Sequence, residues 1–219
     1  MSHVFTSKYW SIQRFVSGFS NNAFLVTCSR TNKSIIIDNP AKPVELIRAA
    51  SSTEVEAILI THGHRDHVEG YDDVSGSFKV PIGIGIEDRS SLPHSAQTAI
   101  DVATGNSTFV GDIVIRAMAT PGHTPGSTCY LLESPDDSEV SHVFTGDTLF
   151  PGGPGKSWSH EALKQIIESL KEHIFTLPDS TVVLPGHGEF TTIGDSKIEF
   201  SAFDAKPLDP SLYGDITWA

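Results

Sequence analysis

Hydrophobic residues recur in short alternating runs between glycine, asparagine and serine clusters, a period of two that predicts strands over residues 9–15, 23–28 and 34–38. Residues 43–50 follow as a helix. The segment EVEAILIT, residues 54–61, is apolar on both faces towards its end, as expected of a strand covered on both sides in a layered α/β domain. A helix is expected around 68–75, a strand over 80–86, and a hairpin over 108–119 turning at Gly111-Asp112. Strands at 128–133 and 142–145 flank the polar loop SPDDSE. Leu163, Ile166, Ile167, Leu170 and Ile174 repeat at helical spacing, with Ser159 able to cap the start and Pro178 beyond the end, so 159–174 reads as the clearest helix. A short strand at 181–184 precedes PGHGE, and the tail beyond carries weak structure signals.

A chain of 219 residues is long enough for a single α/β domain, residues 1–219, to bury a core without disulfides. Fifteen Lys and Arg stand against 27 Asp and Glu, and a net charge of −12 disfavours a nucleic-acid partner, which would need a basic face. Cys28 and Cys129 both lie in apolar, strand-like stretches outside any metal-binding spacing, which favours a reducing compartment. No window is apolar enough to span a membrane and residues 1–10 lack a signal-peptide core, so no membrane partner and a cytoplasmic location are expected.

The chemistry concentrates after the 54–61 strand, where His62-Gly63-His64-Arg65-Asp66-His67 puts four ligand-type side chains within six residues. Side chains two apart in an extended segment point the same way, so His62 and His64 can converge on one ion. Asp66 and His67, after a turn, can serve another. Imidazole and carboxylate donors suit zinc, with iron or manganese also compatible, and the lack of nearby Cys disfavours thiolate-selecting metals. Three further segments each place one such residue in a glycine-containing loop after a strand: PGHTPGS with His123, TGDT with Asp147, and PGHG with His187. Glycine there lets the backbone turn beside an ion and leaves room for substrate.

H-x-H-x-D-H followed in order by separate His, Asp and His resembles the metallo-β-lactamase superfamily, over residues 20 to 194. The resemblance implies a four-layer αββα sandwich with the site along one edge. It also implies two divalent metal ions, one on His62, His64 and His123, the other on Asp66, His67 and His187, with Asp147 bridging. GDTLFPGGPGKSW, residues 146–158, is similar to the glyoxalase II branch, in which a lysine at the position of Lys156 contacts an acidic substrate group; TTIG at 191–194 fits the same branch. That branch usually has Thr where this chain has Gly63 and adds a C-terminal helical domain, whereas 32 residues follow His187 here. The implied activity is therefore hydrolysis of a thioester or ester of a small acyl substrate, more broadly than of hydroxyacylglutathione.

Two divalent ions can lower the pKa of bound water from about 16 to about 7, and Asp66 is the residue expected to take or relay its proton. Asp38, Thr61 and Thr124 are candidates to orient the imidazoles. A lactonase would present the same carbonyl to the same centre, and a mononuclear iron oxygenase resembling the persulfide dioxygenases is an alternative of another class. The antibiotic-degrading members place Cys or Ser near the second-metal positions, which makes a β-lactamase less fitting. His94, His142, His160 and His173 match no ligand spacing and read as surface or core residues.

Overall fold

The computed structural model describes residues 2–18, 20–136 and 139–218, so Asp137 and Ser138 of the expected polar loop lie outside the described residues. The first half of the chain forms β1 (Ser2–Thr6), β2 (Trp10–Ser17), β3 (Asn21–Cys28), β4 (Lys33–Ile37), β5 (Glu54–Leu59) and β6 (Ile82–Gly83), hydrogen-bonded in that order as a six-stranded sheet. The second half adds β7 (Ser107–Val110), β8 (Ile113–Ala119), β9 (Thr128–Leu132), β10 (His142–Gly146), a small ribbon of β11 (Leu149–Phe150) and β12 (Gly153–Pro154), then β13 (Val182–Pro185) and β14 (Thr191–Thr192). Its six-stranded sheet has the order β14-β13-β10-β9-β8-β7.

Side-chain alternation along these strands sorts residues into three cores, which is what creates four layers. Ile35, Ile37 and Leu59 of one sheet meet Ile115, Tyr130, Leu132 and Phe144 of the other. Their neighbours Ile36, Ile58 and Ile60 point the opposite way, onto α1 (Val44–Ala50) through Leu46 and Ala50, and onto Tyr71 and Val74. Across the second sheet, Cys129, Leu131 and Val143 pack on Leu163, Ile166 and Ile167 of α4 (His160–Ser169). The αββα sandwich is thus present, and EVEAILIT is buried on both faces from Ala57 onward, as its sequence predicts.

Several elements depart from the sequence pattern. The helix expected around 68–75 is two short helices, α2 (Arg65–Val68) and α3 (Tyr71–Phe78), parted at Gly70, where a Cβ would lie 2.1 Å from the Pro40 carbonyl oxygen. Strand pairing in 80–86 is confined to β6, because the chain then leaves the sheet into a 3-10 turn at Ile86–Ser91 that exposes 76% of Ile86. Ser159 caps α4 by accepting from the Ala162 N–H at 3.1 Å, but Leu170–Ile174 widens into a π-helical turn, with the Phe175 N–H donating to the Leu170 carbonyl at 2.8 Å. The tail folds into α5 (Ile193–Asp204), capped by Thr192, whose apolar residues Ile193, Ile198, Phe200 and Phe203 share no single face, Ile198 being exposed, and so left no helical period to read. Strands β1, β11, β12 and β14 are also absent from that reading.

β4 to β5, β5 to β6 and β10 to β13 are parallel pairs. In such sheets the loops leaving the C-terminal strand ends gather at one rim, the usual place for a site. The ligand-type segments leave β5, β10 and β13 there, and the 120–127 loop between β8 and β9 joins them.

Candidate metal centre

The structure brings all seven residues together in two clusters: His62, His64, His123 and Asp147 in one, Asp66, His67 and His187 in the other, with donor atoms in each within 4.8 Å of one another. In the first, His64 Nδ1 lies 3.1 Å from His62 Nε2 and 2.9 Å from His123 Nε2. In the second, His67 Nε2 lies 3.3 Å from His187 Nε2, which is 3.3 Å from Asp66 Oδ2.

Asp147 stands between them. Its Oδ2 is 3.5 Å from His123 Nε2 and 3.4 Å from His187 Nε2, and its Oδ1 is 3.5 Å from His67 Nε2. It follows Gly146, whose positive φ of 49° turns β10 sharply into the site, and it is nearly enclosed. A Cβ on Gly186 would lie 2.4 Å from Asp147 Oδ1, so only glycine lets β13 pass beside this carboxylate. Burial would raise the Asp147 pKa, but the hydrogen bond from His187 and the His62 and His67 rings outweigh it and hold the group ionised, well below the usual carboxylate range.

Partners behind the rings fix which nitrogen is free. Asp38 can only accept, so His67 donates to its Oδ2 through Nδ1 at 2.9 Å and turns Nε2 to the cluster. Thr61 gives its one hydroxyl proton to Asp38 Oδ2 at 2.8 Å, so towards His62 Nδ1, 3.1 Å away, it can only accept. His123 Nδ1 donates to the Lys156 carbonyl at 2.8 Å. In all three the other ring nitrogen faces inward, the one a metal ligand would use once free of its proton. Burial, followed by the neighbouring His67 charge, drives His62 well below its ordinary pKa, and burial followed by His123 lowers His64.

Donor chemistry therefore fits divalent cations: inward-facing imidazole nitrogens, ionised carboxylates, and a buried Asp147 Oδ1 with no hydrogen-bond partner among the described residues. Asp38 and Thr61 contact the His67 and His62 rings, as expected of residues that orient them. Thr124 differs, since its hydroxyl donates to Asp88 Oδ2 at 2.6 Å instead of orienting an imidazole. Lys156 belongs to neither cluster. Its ammonium sits at the mouth, 3.5 Å from Asp215 Oδ2 and 4.9 Å from the ring centroid of Trp158, itself 61% exposed and 6.5 Å from the His64 ring.

Asn21 was not legible as a site residue. Its amide donates to Asp66 Oδ2 at 2.7 Å, and this bond, against the opposing effect of burial, helps lower the Asp66 pKa. The only sequence signal was a polar Asn-Asn pair opening an apolar strand. The neighbouring Asn22 N–H donates to the Gly186 carbonyl at 2.7 Å and its amide to the Pro185 carbonyl at 2.9 Å, fastening the start of β3 to the His187 loop.

The profile of the metallo-beta-lactamase superfamily matches residues 16–187. The chain belongs to this superfamily. Among its members, the "Probable hydroxyacylglutathione hydrolase glo2" of Schizosaccharomyces pombe is 35% identical over 195 residues, covering 86% of this chain and 71% of that protein. A metallo-beta-lactamase from Staphylococcus aureus superposes with a TM-score of 0.74 at 27% identity, over 88% of this chain but only 62% of that one, less than two thirds of its length. A structure determined in a di-iron-bound form matches with a TM-score of 0.67 at 25% identity, over 84% of this chain and 96% of that one. Among the described residues no helix is long and apolar enough to cross a membrane.

Proposed function

We propose that the protein is a binuclear metal-dependent hydrolase cleaving the thioester or ester of a small acyl substrate. The observation that carries this reading is Asp147, an ionised carboxylate reaching into both clusters at once. His62, His64 and His123 would hold one ion, Asp66, His67 and His187 the other, and Asp147 would bridge. Zinc suits these donors, and the di-iron relative makes iron an equal candidate by chemistry. Such ions supply Lewis acidity and bring the pKa of water from about 16 to about 7.

The chain's own residues do the rest. Asp66, steadied by Asn21 at 2.7 Å, accepts the proton of the attacking water at a carboxylate oxygen. Asp38 and Thr61 keep His67 and His62 from rotating. Lys156 and Trp158 receive the substrate at the mouth, the ammonium taking an acidic group. Likeness to a probable hydroxyacylglutathione hydrolase supports the thioester class. Two buried, unpaired cysteines suit a reducing compartment such as the cytoplasm.

Metal content of the purified chain, measured beside hydrolysis of S-lactoylglutathione, simple thioesters and acyl-homoserine lactones, tests the reading. Two ions per chain with chelator-sensitive thioester turnover is expected. One iron per chain with oxygen uptake on a persulfide, and no hydrolysis, would overturn it.

A further inference from the structure

We infer that Asp88 is a positioning residue that clips together the two loops carrying His62, His64 and His123. The inference rests on the binuclear reading above for its metal consequence, though not for its geometry.

Asp88 lies in the 3-10 turn after β6, far from any ligand motif in sequence, yet its side chain is buried. Its Oδ2 accepts from the Gly63 N–H at 2.7 Å, the peptide between His62 and His64, and from the Thr124 hydroxyl at 2.6 Å, one residue past His123. Its Oδ1 accepts from the Gly126 N–H at 3.0 Å. One carboxylate thus takes three donors from two loops that no strand pairing joins at these positions. Hydrogen bonds to a carboxylate are the strong kind, and this one is buried.

The glycines give a second, independent sign of the same clip. A Cβ on Gly126 would lie 2.7 Å from Asp88 Cγ, and one on Gly63 would lie 3.1 Å from Asp88 Cβ and 2.9 Å from Ser91 Oγ. Both loops are therefore pressed against the turn as closely as backbone allows. Ser127 Oγ completes the arrangement, accepting from the Thr124 N–H at 3.0 Å and lying 2.7 Å from its hydroxyl. Among the described residues the Asp88 carboxylate makes no hydrogen bond to the other cluster's loops, where His67 is set by Asp38 and Asp66 by Asn21. Asp88 therefore governs one ion and not the other.

An amide offers one acceptor oxygen where three donors converge, so Asp88→Asn breaks the clip nearly as thoroughly as truncation. Zinc competition against a chromophoric chelator and amide hydrogen exchange by NMR, on the full chain, test this. In Asp88→Asn one zinc ion should bind about 10–100-fold more weakly while the other keeps its affinity, and the Gly63 and Gly126 amides should lose protection while the His67 amide keeps its own. Thr124→Val, which removes one of the three bonds, should weaken the same ion severalfold, and Thr124→Ser should restore it; this pair decides the matter if Asp88→Asn fails to fold. Unchanged affinity for both ions, equal loss of both, or unchanged protection of Gly63 and Gly126 would overturn the clip. A wild-type chain that binds no zinc or iron would instead overturn the binuclear reading, and the exchange data on that chain would still decide the clip.

Discussion

His67 and Asp38 meet at 2.9 Å, both almost fully enclosed, and that contact aims His67 Nε2 at the site. Burial lowers the affinity of the ring for a proton, but the Asp38 charge and hydrogen bond, with Asp147 and Asp66, outweigh it and raise the pKa from 6.5 to about 9. In the metal-free chain this ionic contact therefore stabilises the fold fully below pH 6.5 and fades as pH rises through about 9. A cation at Nε2 must displace the proton. Metal affinity should rise with pH across that window, and binding at pH 7 should release about one proton from this ring. Calorimetry in two buffers of different ionisation enthalpy measures the release; binding without it would contradict the coupling.

Asp38 also reaches His62 through Thr61, so it supports one ring in each cluster. Asp38→Asn should weaken both ions, by about 10–100-fold each, unlike the one-sided effect expected at Asp88. Chelator competition separates the two patterns.

Asp147→Ala removes the carboxylate that spans the clusters. Turnover should fall on the order of 10²-fold or more, the usual cost of losing an electrostatic contact at a reacting centre. Wild-type kcat in a folded Asp147→Ala protein would refute the bridging role.

Lys156 and Asp215 pair at 3.5 Å, both substantially exposed, so an incoming anion can displace Asp215 at little cost. Lys156→Met should raise KM for an acyl substrate bearing a carboxylate by about tenfold, with kcat and the KM of a neutral ester little changed, as loss of one ground-state contact does. Asp215→Asn should lower KM for the acidic substrate by a factor of up to about 5, the ceiling for an exposed pair. If Lys156→Met affects neutral and acidic substrates alike, the anchor role is wrong.

His142 is buried beside Phe5, ring centroids 4.3 Å apart, and burial lowers its pKa from 6.5 to about 4. The folded state thus favours the neutral ring. Its contribution is intact above pH 6.5 and is lost as pH falls towards about 4, on the order of a few kcal/mol in total. His142→Phe should flatten this part of the pH dependence; urea unfolding of the metal-free protein at pH 7 and 4.5 measures it. Equal acid sensitivity in the variant would dismiss His142 as a source.

Legibility in the sequence followed the range of the interactions. The strand ending in HGHRDH, the hairpin turning at Gly111-Asp112 and the α4 face of Leu163, Ile166 and Ile167 are written in local periods, and the structure contains them. Helix α5 was missed because its apolar residues, Ile193, Ile198, Phe200 and Phe203, are scattered around the helix and not gathered on one face; what holds it is the packing of Phe200 against Phe175 and Trp218, distant in sequence. Asp88 and Asn21 were missed for a related reason: each acts on loops 25 to 45 residues away, and nothing beside them in the chain marks the partner.

Which side chains have the chemistry to bind cations was determined by the sequence alone, since residue type and strand-end position suffice for that. Their convergence was decided only by tertiary structure, where parallel strands deliver β5, β10 and β13 to a common rim and buried acceptors choose which imidazole nitrogen stays free. A lone pair's direction depends on partners that folding supplies, and no local pattern encodes them.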